Sequence, residues 1–172
     1  MTLGTQLIGY MNGVAAIMGI LMISIMGRRT LLILGHVMMT LIFVFCGYAI
    51  LNGHALSSYI SILLFIMFFH FSHGTVTWLY TPEVTVDAAS GFALAGQFIS
   101  LSIIALTFEF MMAGPLEVYG TIWYHACWNF VGLIFMAVFV KETRGLTDKE
   151  KKLLYSPIFP IGNSEEQELE HV

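Results

Sequence analysis

Charge is what this sequence has least of. Among its 172 residues, seven are Lys or Arg and 11 are Asp or Glu, a charged share of 10 %, against roughly 25 % in soluble domains. Twelve of these charges lie from Lys141 onward, so residues 1–140 hold only Arg28, Arg29, Glu83, Asp87, Glu109 and Glu117. A water-soluble fold needs far more polar surface than that, which excludes soluble enzymes and nucleic-acid binders. Cysteine is scarce too: Cys46 and Cys127 both sit inside apolar runs, where they read as small hydrophobes and carry no disulfide or redox inference. Strict apolar/polar alternation is missing, so membrane β-strands are not expected. No phosphate-cradling loop, Cys-x-x-Cys pair, His-Glu-x-x-His or nucleophile elbow occurs. No enzyme chemistry and no cofactor is implied.

What is present is hydrophobicity, 58 % of the chain, gathered into five runs over 3–26, 30–51, 57–80, 90–112 and 119–140. Runs of roughly 20 apolar residues are long enough to cross a bilayer core as helices. The expected fold is an all-α membrane protein, with five transmembrane helices in a domain over 1–140 and a charged tail over 141–172. Turn residues mark the breaks: Gly27-Arg28-Arg29, Asn52-Gly53-His54, Thr81-Pro82-Glu83 through Asp87, and Gly114-Pro115-Leu116-Glu117. The tail reads as helical to Tyr155. Pro157 and Pro160 then break it before an acidic end at Glu165, Glu166, Glu168 and Glu170.

Five spans put the two termini on opposite sides of the membrane. Arg28 and Arg29 follow the first span, and Lys141, Arg144, Lys149, Lys151 and Lys152 follow the fifth, so all seven cations share one face. The positive-inside rule assigns that face to the cytoplasm or the mitochondrial matrix, with the N-terminus outside. Between the two compartments, a mitochondrial inner membrane is preferred over a plasma membrane. The N-terminus lacks a basic n-region and its first apolar run is long for a signal peptide, so no cleavage is expected.

Polar groups inside the spans are costly to bury in lipid and are therefore the functional candidates. His70 and His73, three apart, are expected on one helical face. A metal site there would need His125 or Cys127 as well, and the commoner use is hydrogen bonding between helices; no metal site is assigned. Glu109 is either a proton-relay acid or a carboxyl that reaches the interface or stays protonated. Gly9 and Gly13 form a small-x-x-x-small pair, either a dimer face or, more commonly, close packing within the bundle. Asn12 is inter-helix glue or a hydroxyl-binding group. Trp78 is an interfacial belt residue or a platform for a sugar ring.

Four motifs occur in order. They are Gly9-Tyr10-Met11-Asn12, Gly27-Arg28-Arg29-Thr30-Leu31-Leu32, Gly74-x-x-x-Trp78-x-Tyr80-x-x-Glu83, and Glu142-Thr143-Arg144-Gly145-Leu146-Thr147-Asp148-x-Glu150. Together they resemble helices eight to twelve of a sugar porter of the major facilitator superfamily, over about residues 1–152. The resemblance implies a truncated half-bundle of a fold that has 12 helices in two halves, with substrate held at the midplane between them. It implies sugar contacts at Asn12 and Trp78 if transport is retained. It also implies an inner-face charge motif of Arg28, Arg29, Glu83, Glu142 and Arg144 that latches the halves together. Helix seven, with the paired glutamines that supply much of the family's sugar contact, has no counterpart here.

Departures from the family pattern thin the latch. Ser24 stands where the family has an acid, Ile25 where it has arginine, Thr75 and Thr77 where it has prolines. Val86 and Ser90 replace the Pro and Arg of Glu-x-x-Pro-x-x-x-Arg, and Lys141 replaces a proline. The family's Asn-Trp pair in the fourth span has only Gln97-Phe98 as its nearest match. The expected function is a non-transporting structural or accessory subunit of a larger membrane complex, with lipid and other membrane subunits as partners. The alternative is half of a split hexose transporter working with a second polypeptide. A proton path through Glu109, His70 and His73 is the third reading.

Overall fold

The computed structural model describes residues 3–155. Each apolar run becomes a helix: α1 (Leu3–Met26), α2 (Arg28–Leu51), α3 (Ala55–Phe69), a π-helical turn (His70–Gly74), α4 (Thr75–Val84), α5 (Asp87–Ala113), α6 (Glu117–Phe139) and, after the bundle, a short α7 (Asp148–Leu153). No strand occurs among the described residues. The segment Ala55–Val84 runs continuously through α3, the π turn and α4, so the described residues hold five helical stretches long and apolar enough to cross a membrane.

Helix α2 is the centre of the bundle. Its buried positions Leu31, Gly35, Met39, Ile42, Cys46 and Ala49 recur every three or four residues, the spacing that keeps one helical stripe facing its neighbours. Small residues let those neighbours come close, as helix pairs in lipid require. A Cβ at Gly35 would collide with the Ser72 hydroxyl, and one at Gly47 with the Trp123 indole. Polar bonds tie α6 to the same helix: Trp123 Nε1 donates to the Val44 carbonyl at 3.1 Å, and Asn129 Nδ2 to the His36 carbonyl at 3.1 Å. Helix α5, by contrast, buries none of its span, and Phe92 is 83 % exposed. Hydrocarbon tails are as apolar as these side chains, so such exposure carries no penalty in a bilayer.

Three expectations are corrected. The third span does not end at Tyr80; the helix continues through Pro82 and Glu83 to Val84. Proline lacks an N–H and so deprives the carbonyl four residues back, but only one turn of helix remains. Thr85 closes that turn by donating both its N–H and its hydroxyl to the Thr81 carbonyl, at 3.2 and 2.6 Å. Second, π winding from His70 to Gly74 bonds residues five apart rather than four, which turns His70 and His73 away from a common face. Third, Gly9 and Gly13 meet nothing within 4 Å, so they do not pack within this bundle. The close contacts of α1 come instead at Gly19, against Thr75 and the Phe71 carbonyl.

The segment after α6 folds back onto the bundle. Tyr155 donates its hydroxyl to the Phe139 carbonyl at 3.0 Å and lies 2.6 Å from the Tyr80 hydroxyl, while Lys141 Nζ reaches the Leu154 carbonyl at 2.8 Å. A reciprocal cap opens α7, with Thr147 and Glu150 each bonding the other's backbone N–H. The N–H of Thr147, and after it the hydroxyl, hold the Glu150 carboxyl below its usual range. The acidic end at Glu165, Glu166, Glu168 and Glu170 lies outside the described residues.

Packing at Gly47 predicts a sharp size limit. In a Cys127→Ser background, the rate at which a thiol-reactive fluorophore labels the buried Cys46 on heating reports opening of the bundle. Gly47→Val is expected to lower the midpoint by the equivalent of about 1–3 kcal/mol, whereas Gly91→Val, at a position open to its surroundings, leaves it unchanged.

Candidate functional site

The first turn of any helix leaves backbone N–H groups without partners. Helix α2 begins after Gly27, which has no side chain to cap it. The cap comes from the far end of the sequence. The Glu142 carboxylate accepts from the N–H groups of Arg28 at 3.0 Å and Arg29 at 3.1 Å, and from those of Thr143 and Arg144 at 3.1 Å each. An anion is favoured at this pole of the helix dipole. Gly27 is required for the approach: its φ is 84°, and a Cβ there would lie 2.8 Å from Glu142 Oε2.

Beside this cap stands a second carboxylate. Glu83, in the last turn of α4, accepts from Arg28 Nη2 at 2.9 Å and from the Thr143 hydroxyl at 2.9 Å, with Lys151 Nζ at 3.5 Å. The side chains of Arg28 and Glu83 are 20 % and 18 % exposed, sheltered enough for a charge-assisted bond to outweigh an ordinary surface pair. Arg28 therefore serves both acids, one through its backbone and one through its guanidinium. Arg29 donates to the Ala137 carbonyl at 2.8 Å, and Arg144 to the Ile25 carbonyl. All five residues of the expected charge motif thus meet at one end of the bundle.

The departures at Ser24 and Ser90 strand no carboxylate there. Glu142 finds backbone amides in place of a cation, Ser90 lies 2.6 Å from the Thr85 hydroxyl, and Ser24 bonds the Leu21 carbonyl at 2.6 Å. Thr143 and Lys151 join the cluster without having been singled out in the sequence. Thr143 lies inside the Glu-Thr-Arg motif, which was the signal available for it.

The other candidates are dispersed. Asn12 is half-buried, and its Oδ1 is buried with no hydrogen-bond partner. Trp78 is 48 % exposed, with its ring 6.2 Å from that of Phe98 on α5; Gln97 beside it is exposed. Glu109 is exposed on α5 and takes part in no salt bridge among the described residues. His70 packs near Gly74, whereas the His73 ring lies 4.2 Å from that of His36. His73, His36, His125 and Asn129 line a cavity of about 500 Å³ between α2, α3, α5 and α6, which includes neither Asn12 nor Trp78. His36 and Asn129 escaped the sequence reading, although an isolated polar residue in mid-span is itself the signal that marks them.

The model of the family described as sugar (and other) transporter matches residues 2–155. The facilitated trehalose transporter Tret1 of Drosophila yakuba is 29 % identical over 164 residues, covering 87 % of this chain and 19 % of that protein. The D-xylose-proton symporter of Escherichia coli K12 is 26 % identical over 165 residues, covering 90 % and 34 %. Among solved structures, the inward-open xylose transporter XylE from E. coli superposes with a TM-score of 0.77 at 26 % identity, over 89 % of this chain and 36 % of that one. The chain thus spans between a fifth and about a third of the length of these relatives.

The shared arginine predicts coupling at the polar end. In a double-mutant cycle of Arg28→Ala and Glu83→Ala, read by the Cys46 thermal assay, the two losses are expected to fall short of additivity by about 1–2 kcal/mol. Additive losses would show that the pair contributes nothing.

Proposed function

The chain belongs to the sugar (and other) transporter family, and on that premise we propose that it forms helices eight to twelve of a sugar-translocating carrier. The order of its motifs and its share of about a third of the xylose-transporter chain support that placement. Helices one to seven then come from polypeptide outside these 172 residues, seated on the open faces of α1 and α5.

The polar end carries this reading. An alternating-access carrier needs an interface with two stable arrangements, and a compact set of charges at one end is the kind of contact that closing can add to and opening can remove. Arg28, Arg29, Glu83, Glu142 and Arg144 form such a set on the side read as cytoplasmic or matrix. On the sugar path, Asn12 supplies a half-buried amide on α1, and Trp78 offers an exposed ring face to the apolar side of a pyranose.

A second reading is an accessory subunit that moves no sugar. It is favoured by the extent of apolar helix surface open to neighbours, above all on α5, which suits permanent packing against other membrane subunits.

Vesicles holding this chain together with a polypeptide that supplies the other helices separate the two readings. Saturable uptake of labelled hexose is expected, reduced about tenfold or more by Asn12→Ala or Trp78→Ala, the scale of one lost substrate contact. Absence of uptake in every pairing, with the chain purifying in fixed stoichiometry with other subunits, selects the accessory role. A chain that purifies alone and transports nothing sinks both.

A further inference from the structure

Two tyrosine hydroxyls meet where α6 ends. Tyr80 on α4 and Tyr155, just past α7, have their hydroxyl oxygens 2.6 Å apart. The last carbonyls of a helix lack partners within it. That of Phe139 lies 3.0 Å from the Tyr155 oxygen, and just beyond it the Lys141 carbonyl lies 2.9 Å from the Tyr80 oxygen. Two hydroxyl protons thus serve three contacts. Lys141 completes the set by donating its N–H into the pair, at 2.9 Å from Tyr155 and 3.2 Å from Tyr80. Removing either hydroxyl strands a carbonyl.

This clasp closes a loop whose ends, Lys141 and Tyr155, are 14 positions apart in sequence. The chain leaves α6, gives Glu142 and Thr143 to the polar end, turns at Gly145 with a φ of 80°, forms α7 and returns. Its first part is anchored by the four N–H bonds of Glu142 and by Thr143 on Glu83. The second part is held less firmly. Helix α7 has six residues and buries none of them, and Leu153 is 62 % exposed. A helix so short does not persist alone, and little apolar burial offsets the entropy of ordering it. What fastens it is polar: the tyrosine clasp, Lys141 Nζ on the Leu154 carbonyl at 2.8 Å and 5.3 Å from the centre of the Tyr155 ring, and Lys151 Nζ 3.5 Å from Glu83. Segments with few buried contacts open at low free energy, ahead of global unfolding.

We propose that residues 146–155 form a detachable strap, hinged at Gly145 and fastened by the Tyr155 hydroxyl, which opens while the five spans stay folded. Release takes Tyr155 from Tyr80 and Lys151 from Glu83, two residues three apart and so on one face of α4. Arg28 and Thr143 keep their bonds to Glu83, since neither lies in the strap. The polar end therefore has two forms, with Glu83 holding Lys151 in one and not in the other. Its charge set is tightened or loosened with no change to any of its five residues, which is the form regulation of that set takes. The strap needs neither a sugar nor a second polypeptide, so it stands apart from both readings of the function.

Trypsin reads the strap, because Lys149, Lys151 and Lys152 lie within it and a protease cuts a segment in proportion to the time it spends open. The full chain is placed in phosphatidylcholine nanodiscs, which leave both faces accessible, and cuts are mapped by mass spectrometry. Tyr155→Phe is expected to speed cleavage at these lysines about tenfold, the scale of one or two hydrogen bonds. Tyr80→Phe is expected to speed it less, since Tyr155 then keeps the Phe139 carbonyl. In the double variant the two effects should fall short of their product, because both act at one clasp. Tyr124→Phe, exposed earlier on α6, leaves the rate unchanged. In the Cys127→Ser background, the Cys46 thermal midpoint is expected to hold in Tyr155→Phe, which separates opening of the strap from opening of the bundle. Unchanged cleavage in Tyr155→Phe overturns the proposal, and so does a midpoint that falls together with faster cleavage. Effects of the two tyrosines that simply multiply overturn it as well. A native strap already cut as fast as a free peptide of residues 141–155 does the same, in a comparison that needs no variant.

Discussion

The carboxylate of Glu142 on the amino end of α2 is the contact on which the arrangement of this chain depends. It joins positions 114 residues apart in sequence, and it supplies a helix terminus that begins with glycine and has no cap of its own. Because α2 is also the helix against which α3 and α6 pack, anchoring its end fixes the frame for both. The same carboxylate gathers the backbone just after α6, which places Thr143 against Glu83 and brings Lys151 of α7 within reach of that acid. One side chain thus closes the sequence on itself.

Polar contacts carry this weight because of the solvent. In lipid, helix association gains no hydrophobic drive, so a face covered with leucine and phenylalanine specifies nothing. Specificity falls to small residues that permit close approach, such as Gly35 and Gly47, and to the few side chains that bond across helices, such as Trp123 and Asn129. Helix α5 carries small residues too, but Gly91 and Gly96 meet nothing within 4 Å, and the hydroxyls of Ser102 and Thr107 bond carbonyls of their own helix. It is accordingly the least buried of the five spans, and the natural place for another helix to sit.

How much of this was legible in advance follows from the same physics. Span number and approximate limits were readable because a bilayer sets helix length, and apolar runs report it directly. The polar end was readable because charges are rare enough that Arg28, Arg29, Glu83, Glu142 and Arg144 stood out. What could not be read was which partner each would take: backbone amides satisfy Glu142, and amides have no signature in a sequence. Pro82 misled because its cost depends on how many turns of helix follow it. His36 and Asn129 were hidden among apolar neighbours, and their cavity exists only once four helices are assembled.

The π turn at His70–Gly74 acts as a phase shifter between the two parts of the third span. Winding that skips one bond adds a residue without adding a full α-helical step, so everything beyond Gly74 is rotated relative to an unbroken α-helix. A helical wheel drawn from Ala55 to Val84 therefore assigns faces wrongly on one side or the other of the turn. Rewinding the same residues as a uniform α-helix would swing α4 by about 100° about its axis, carrying Glu83 away from Arg28 with no change to either side chain, whereas excising one residue there would leave α4 close to its present phase. The geometry of the polar end is thus held partly by a wide turn some 15 Å distant along the helix, at about 1.5 Å for each of the ten or so positions between.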